Sequence, residues 1–373
     1  VVLSLFLTFG LTASLFAQGS ATDLPGLSLV WSKNVGGLKS FALSPHARHL
    51  ALLTSEGKLA LWTAQDGNPV WATSHQTATN VLVSDGEGAV LTYNVRSPQQ
   101  STVVMRRTDT GAVIWSKNYY TSVWCAGFNL QGTNLAIGTG DNQLYLYDFT
   151  NGNAETKVPL SGTPVSTSFS FDSNSVLVGQ WDHSGLSCYD LSGKALWLDD
   201  GADNRKYAIS SVGTHYVTYI GSSNRHGRSP IAYVVRSSNG ELLWAYDLQD
   251  NSYSAIAYTN DDASITGISY NKLNHSPVGW ASEQKLAAID RDGQKQWEKG
   301  GLFWSPTLIC LTPDQSGLVV YDGKRKLYRL DGYGRTLSTA YLSDDLRQWS
   351  VSADNSSLVV YTHDGQLTLL HVQ

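Results

Sequence analysis

Short runs of apolar or alternating residues recur along the whole chain, each bounded by Gly, Asn, Asp or Ser. Early on they are Val30–Lys33, Ser40–Leu43, Leu50–Leu53 and Leu59–Trp62. Late in the chain they are the segment at Trp297, then Thr307–Leu311, Gly317–Tyr321 and Lys326–Leu330. Period-two alternation between turn residues predicts β-strands. The pairs Asp66-Gly67, Asn151-Gly152, Asn239-Gly240 and Asp292-Gly293 supply the positive φ that tight hairpins require. After the first 17 residues no stretch carries a useful 3.6-residue period, so no helix is expected.

The pattern is itself repeated. A Gly stands four residues before a Trp at Gly67/Trp71, Gly111/Trp115, Gly193/Trp197, Gly240/Trp244 and Gly293/Trp297. Gly152/Thr156 and Gly334/Ser338 keep the frame without the Trp, and Trp31 opens the series without the Gly. Eight units therefore begin at Trp31, Trp71, Trp115, Thr156, Trp197, Trp244, Trp297 and Ser338. Four strand signals per unit, at steps of about 40 to 53 residues, predict an all-β, eight-bladed β-propeller of four-stranded blades. The series opens with an outer strand and ends with three further ones. Residues near Trp31 are thus expected to pair with Gln366–Leu370, closing the ring through the N- and C-terminal strands. Each repeated Trp is expected to wedge between neighbouring blades, its indole N–H reaching a backbone acceptor across the gap. Residues 20–373 read as a single domain.

Residues 1–17 carry no charge, and Ala17-Gln18-Gly19 has the small-x-small form of a signal-peptidase site. The segment 1–19 reads as a cleaved secretory signal, which implies an exported protein: periplasmic, cell-envelope or secreted. A single membrane anchor is the alternative, because about 17 apolar residues can just span a bilayer. No Cys precedes Cys125, so a lipoprotein anchor at this site is not expected.

Composition narrows the function class. Lys+Arg number 26 and Asp+Glu 31, a net charge of −5, which argues against a nucleic-acid partner needing a basic stripe. The 42% of hydrophobic residues, with 12 Trp and 19 Tyr, can bury a large core and argue against disorder. Cys125, Cys188 and Cys310 lie singly in apolar runs and read as buried hydrophobes, not as a disulfide framework or zinc site. There is no HExxH, Walker loop, CxxC or GxSxG. Ser55-Glu56-Gly57-Lys58 matches S-x-x-K only formally, since it falls in a hairpin turn, and His46 and His49 read as solvated turn residues.

The strings Leu146-Tyr147-Asp148…Gly152, Cys188-Tyr189-Asp190…Gly193…Trp197, Ala288-Ile289-Asp290…Gly293…Trp297 and Leu330-Asp331…Gly334 resemble the pyrroloquinoline-quinone-type propeller repeat. Ser44 to Ala51 followed by Ser55 to Leu59 is also similar to a WD-repeat unit. The resemblance spans essentially residues 27–373 and implies the fold; propellers host many unrelated functions. The quinone-dependent dehydrogenases of this superfamily use adjacent cysteines and a Ca²⁺ site. Adjacent cysteines are missing here, so no cofactor, metal ion or catalytic residue is assigned.

In a propeller, loops entering the innermost strands and loops joining second and third strands share one face. The first kind holds Tyr120, Trp124, Arg205, Tyr207, Tyr253, Trp304, Arg347 and Trp349, types that dominate interface hot spots. The second kind is lengthened in two units, at Gly221–Ser229 and Tyr270–Glu283, which adds Arg225, His226, Arg228 and Lys272. These twelve residues are the candidate partner-binding set. The sequence therefore reads as a monomeric, non-enzymatic binding or scaffolding protein, peripheral to a membrane at most. Its expected partner is a protein or peptide of the cell envelope or surface. The alternative is a small-ligand or carbohydrate binder, or an enzyme at the channel mouth.

Overall fold

A computed structural model describes residues 26–373 except 76, 86–87, 95–99, 150–153, 171, 182–184, 200–209, 213–214, 221–231, 238, 248–251, 258–265, 277–278, 291, 293 and 301–307. The described residues are all strand, turn and loop, and no helix among them is long and apolar enough to cross a membrane.

The strands assemble into eight four-stranded antiparallel sheets. Sheet 1 contains β1 (Leu27–Asn34) from the start of the chain and three strands from its end. Sheet 2 holds β2 (Leu38–Leu43), β3 (His49–Thr54), β4 (Lys58–Thr63) and β5 (Pro69–Ser74). Sheet 3 holds β6 (Asn80–Val83), β7 (Ala89–Tyr93), β8 (Ser101–Arg107) and β9 (Val113–Tyr119). Sheet 4 holds β10 (Val123–Phe128), β11 (Asn134–Thr139), β12 (Gln143–Asp148) and β13 (Ala154–Pro159). Sheet 5 holds β14 (Pro164–Phe169), β15 (Ser175–Gln180), β16 (Leu186–Asp190) and β17 (Ala195–Asp199). Sheet 6 holds β18 (Ser210–Val212), β19 (His215–Ile220), β20 (Ala232–Ser237) and β21 (Leu242–Asp247). Sheet 7 holds β22 (Ser252–Ala257), β23 (Thr266–Ser276), β24 (Gly279–Ile289) and β25 (Lys295–Gly300). Sheet 8 holds β26 (Ile309–Leu311), β27 (Gly317–Tyr321), β28 (Lys326–Asp331) and β29 (Thr336–Tyr341). Sheet 1 is completed by β30 (Leu346–Val351), β31 (Ser357–Thr362) and β32 (Gln366–Val372).

In sheets 2 to 8 the strands run in chain order, and in sheet 1 β1 lies outside β32, with Trp31 opposite Leu369 and Lys33 opposite Leu367. The first and last strands of the chain thus share one sheet. Inner strands meet their neighbours: β2 packs near β30 and β6, β10 near β14, and β22 near β26. The central strands are buried on both faces, which is why Leu50–Leu53 and Leu59–Trp62 read as continuous apolar runs.

The core is a series of layers between facing sheets. Phe41, Leu50 and Trp62 of sheet 2 pack on Val359, Tyr361 and Leu369 of sheet 1. Leu91, Val103 and Met105 of sheet 3 pack on Leu135 and Ile137 of sheet 4. Cys310 and Tyr321 of sheet 8 pack on Leu358 and Val360 of sheet 1. All three cysteines are buried and form no disulfide, and burial pushes the Cys125 and Cys310 thiols up to about 12, so these two behave as small hydrophobes.

The repeated Trp residues act across these layers. Trp31 Nε1 donates to the Ala64 carbonyl at 2.8 Å, Trp71 to Thr108 at 2.7 Å and Trp297 to Gly332 at 2.7 Å, each in the next sheet. Sheet 7 departs from the repeat. The segment Tyr270–Glu283, expected as a long loop, is a ribbon: β23 and β24 stay paired out to Ser276 opposite Gly279. Its rungs from Lys272/Glu283 outward lie beyond the pairing of β22, which ends at Asn271, and of β25, which ends at Lys285. Lys272 is therefore a strand residue of this ribbon.

Candidate functional site

Loops that lead into inner strands are hydrogen-bonded to the turns between second and third strands. Ser55 N–H donates to Gly37 O at 2.7 Å, Gly140 to Ser122 at 2.8 Å, Trp181 to Thr163 at 2.7 Å and His363 to Asp345 at 3.0 Å. The two loop classes thus share one face, as expected from the repeat. On it Tyr120, in the loop before β10, is 86% exposed. Trp181, just after β15, is 40% exposed.

Trp124, Tyr253, Arg347 and Trp349 were expected in loops, and the structure places them inside inner strands β10, β22 and β30. The reason is a recurrent bulge. Register shifts by one residue between Leu38 and Ser40, Val123 and Cys125, Pro164 and Ser166, Tyr253 and Ala255, and Leu346 and Gln348. The extra residue keeps the strand paired while releasing one side chain from the alternation. Trp124 and Arg347 are those extra residues on β10 and β30, as Lys39 is on β2.

The bulged side chains have defined surroundings. Trp124 meets Trp181 of the next sheet edge-to-face, with centroids 5.9 Å apart and an interplanar angle of 81°. Arg347 is exposed, with its guanidinium 5.9 Å from the Tyr361 ring. The Tyr361 hydroxyl is itself fixed, accepting from Leu38 N–H at 3.1 Å and donating to Val35 O at 3.2 Å. Gln348 reaches across to Phe41 O at 3.0 Å, and Arg347, Gln348 and Trp349 line a shallow cleft of about 310 Å³. Tyr120 and Trp124 are thus brought together with Trp181 on sheets 4 and 5, while Arg347 and Trp349 form a separate group on sheet 1. Of Tyr253 and Lys272 the structure gives strand positions only. Arg205, Tyr207, Arg225, His226, Arg228 and Trp304 lie outside the described residues.

A second cleft, of about 320 Å³, lies between β9 of sheet 3 and β12–β13 of sheet 4. Lys117 sits among three tyrosines, its Nζ 5.6, 5.4 and 5.4 Å from the ring centroids of Tyr119, Tyr145 and Tyr147, and pairs with Glu155. The hydroxyls of Tyr119 and Tyr147 are 2.5 Å apart, and burial raises both phenols well above the usual range. None of these residues except Tyr120 at the rim was singled out from the sequence. The Tyr-x-Tyr of β12 was legible only as strand alternation.

On the opposite face His46 is an exposed turn residue, as expected, whereas His49 opens β3 and is partly buried. Asp85, in the first turn of sheet 3, accepts the His46 N–H at 2.6 Å, with the two Nδ1 atoms 3.3 and 3.5 Å from its carboxylate. Burial works against the charge on Asp85. The adjacent His49 and Ser44 side chains and the His46 backbone N–H nevertheless hold its carboxyl below the usual range. The two imidazoles are part of a contact between sheets. Among the described residues no group of three or more His, Cys, Asp or Glu could hold a metal ion.

Comparison with known proteins fits this geometry. The PQQ_2 family, described as outer membrane protein assembly factor BamB, matches residues 99–274. Over those residues the chain is similar to repeats of the pyrroloquinoline-quinone-like propeller type. Among solved structures, BamB from Moraxella catarrhalis aligns over 92% of this chain and 99% of its own, with TM-score 0.63 and 16% identity. The computationally designed Ika8 protein aligns over 91% of this chain and 98% of its own, with TM-score 0.66 and 13% identity. At these identities the likeness is one of fold. A search of the curated proteins finds no match.

Proposed function

We propose that the eight sheets are blades of one propeller ring closed by the β1–β32 pairing, and that the molecule is an exported, non-enzymatic scaffold. Its partner is a protein or peptide of the cell envelope, held on the loop face by a monomer that is peripheral to the membrane at most. The observation that carries this reading is the Trp124–Trp181 pair beside the exposed Tyr120, where a bulge turns an aromatic ring out of its sheet. Aromatic side chains presented on a rigid frame lose little entropy on binding and dominate hot spots. The description of the matching family as an outer membrane assembly factor supports an envelope partner. The uncharged residues 1–17, read as part of a cleaved signal over 1–19, support export. Arg205, Tyr207, Arg225, His226, Arg228, Tyr253, Lys272 and Trp304 stay in the proposed set as supplementary contacts on the strength of the sequence.

The test is affinity capture from envelope extract with the parent protein and a Trp124→Ala/Trp181→Ala double variant. Capture should be lost in the double variant and kept in Val113→Ala, which alters an exposed residue of outer strand β9. Equal capture by parent and double variant would move the partner site elsewhere.

A further inference from the structure

Sheets 3 and 4 meet differently from other described junctions that carry a repeat Trp. At three of those, a Trp indole donates to a carbonyl of the following sheet. Trp115 Nε1 is buried and finds no acceptor among the described residues, and its ring instead stacks on Tyr147, with centroids 5.5 Å apart. The next unit carries Thr156 in place of Trp. Where the repeat gives up its usual lock, the cleft of about 320 Å³ opens toward the loop face.

We infer that this cleft binds a neutral saccharide. A pyranose ring presents C–H faces together with hydroxyls that both donate and accept, so its site needs aromatic faces and mixed polar groups. The exposed rim residue Tyr120 supplies an open ring face, while Tyr145, flanked by Lys117, Lys157 and Tyr119, forms part of the wall. Asp141 and Glu155 supply acceptors, and Lys117 and Lys157 supply donors. Two ammoniums against two carboxylates leave no net charge, so an anionic ligand meets Asp141 and Glu155 and a cationic one meets the lysines. The volume is at the lower end of the roughly 300–1,000 Å³ typical of small-molecule sites, which suits one or two sugar rings.

The framework is held in advance of binding. Tyr119 and Tyr147 are bonded to each other, Lys117 donates to the Tyr147 hydroxyl at 3.1 Å, and Lys157 lies 5.4 Å over the Tyr145 ring. Preorganised polar groups reduce the ordering cost of a weakly bound polar ligand. A peptide side-chain anchor would need an apolar pocket, whereas this one is rimmed by charges, an amide and hydroxyls. Trp124 and Trp181 do not line the cleft, so it shares only Tyr120 with the proposed partner site, and Trp181→Ala tells the two apart.

The experiment is calorimetry and ligand-observed NMR on the full chain with cellobiose, maltose and N,N′-diacetylchitobiose as probes, and glucuronic acid and inorganic phosphate as charged comparisons. At least one neutral disaccharide should bind saturably at millimolar concentration. Tyr120→Ala, at a side chain too exposed to affect folding, should weaken it by about tenfold, the size of one lost ring contact. Glu155→Gln should weaken it also, and Trp181→Ala should leave it unchanged. The inference is overturned if no neutral disaccharide binds, if only the charged probes bind, or if binding survives both cleft substitutions.

Discussion

Gly111 lies directly against the indole of Trp71 in the preceding sheet: a Cβ on Gly111 would stand 2.8 Å from Trp71 Cδ2. Gly67 bears the same relation to Trp31, Gly240 to Trp197 and Gly334 to Trp297. The Gly of the repeat therefore has two roles. It takes the positive φ of its own turn, and it leaves room for the Trp of the sheet before it. The substitution Gly111→Ala should cost about 2 kcal/mol or more, from a strained φ of +70° plus overpacking. Gly36→Ala, where nothing lies within 4 Å, should change stability by less than about 0.5 kcal/mol in urea denaturation.

Trp71 and Trp115 are expected to separate the indole hydrogen bond from packing. Replacing Trp71 by Phe removes the donor to Thr108 O and should cost about 1–3 kcal/mol beyond the volume change. Trp115→Phe should lack that increment, because Trp115 Nε1 has no acceptor among the described residues. Paired equilibrium unfolding of the two variants measures the difference; equal losses would mean that the indole bond contributes nothing between sheets 2 and 3.

Deleting residues 20–34 removes β1, exposes the ladder groups of β32 and strips Trp31 from Ala64. Truncation of a packed Trp alone costs about 3–5 kcal/mol, so the shortened protein should melt well below the parent. Coincident melting curves in calorimetry would show that β1 does not support the ring.

Acid should act through Asp85. Its folded pKa is held below the unfolded value of about 3.9, so its contribution is present above about pH 4 and is lost as pH falls through the folded value. Asp85→Asn should be less stable than the parent at pH 6 and show a flatter loss of stability on acidification. Parallel melting-temperature profiles for the two proteins would exclude this role.

Replacing residues 272–283 by a four-residue turn should leave the melting temperature unchanged, since those rungs lie outside the four-stranded pairing. Capture of the proposed envelope partner should fall, and unchanged capture would remove the ribbon from the proposed site.

Much of this architecture was legible in contiguous residues. Strands such as Leu59–Trp62 and turns such as Asp66-Gly67 are marked by a short apolar run and by local φ, so their signals need no knowledge of the partner strand. The spacing of Gly and Trp also pointed to aromatic contacts between units, since one turn geometry was repeated at each step. The ribbon of β23 and β24 was misread as a loop because no third strand covers its outer rungs to impose apolar alternation.

The candidate site was decided elsewhere. Trp124 and Arg347 are turned out by bulges that exist only in the register of β10 against β11 and β30 against β31. Asp85 meets His46 and His49 only because sheets 2 and 3 stack, and Lys117 finds Tyr145 and Tyr147 across the gap between sheets 3 and 4. Local sequence determined the units and their turns because backbone preference and alternation act over a few residues. The tertiary structure decided which side chains meet, because those contacts join sheets whose relative placement is set by packing summed over the whole chain.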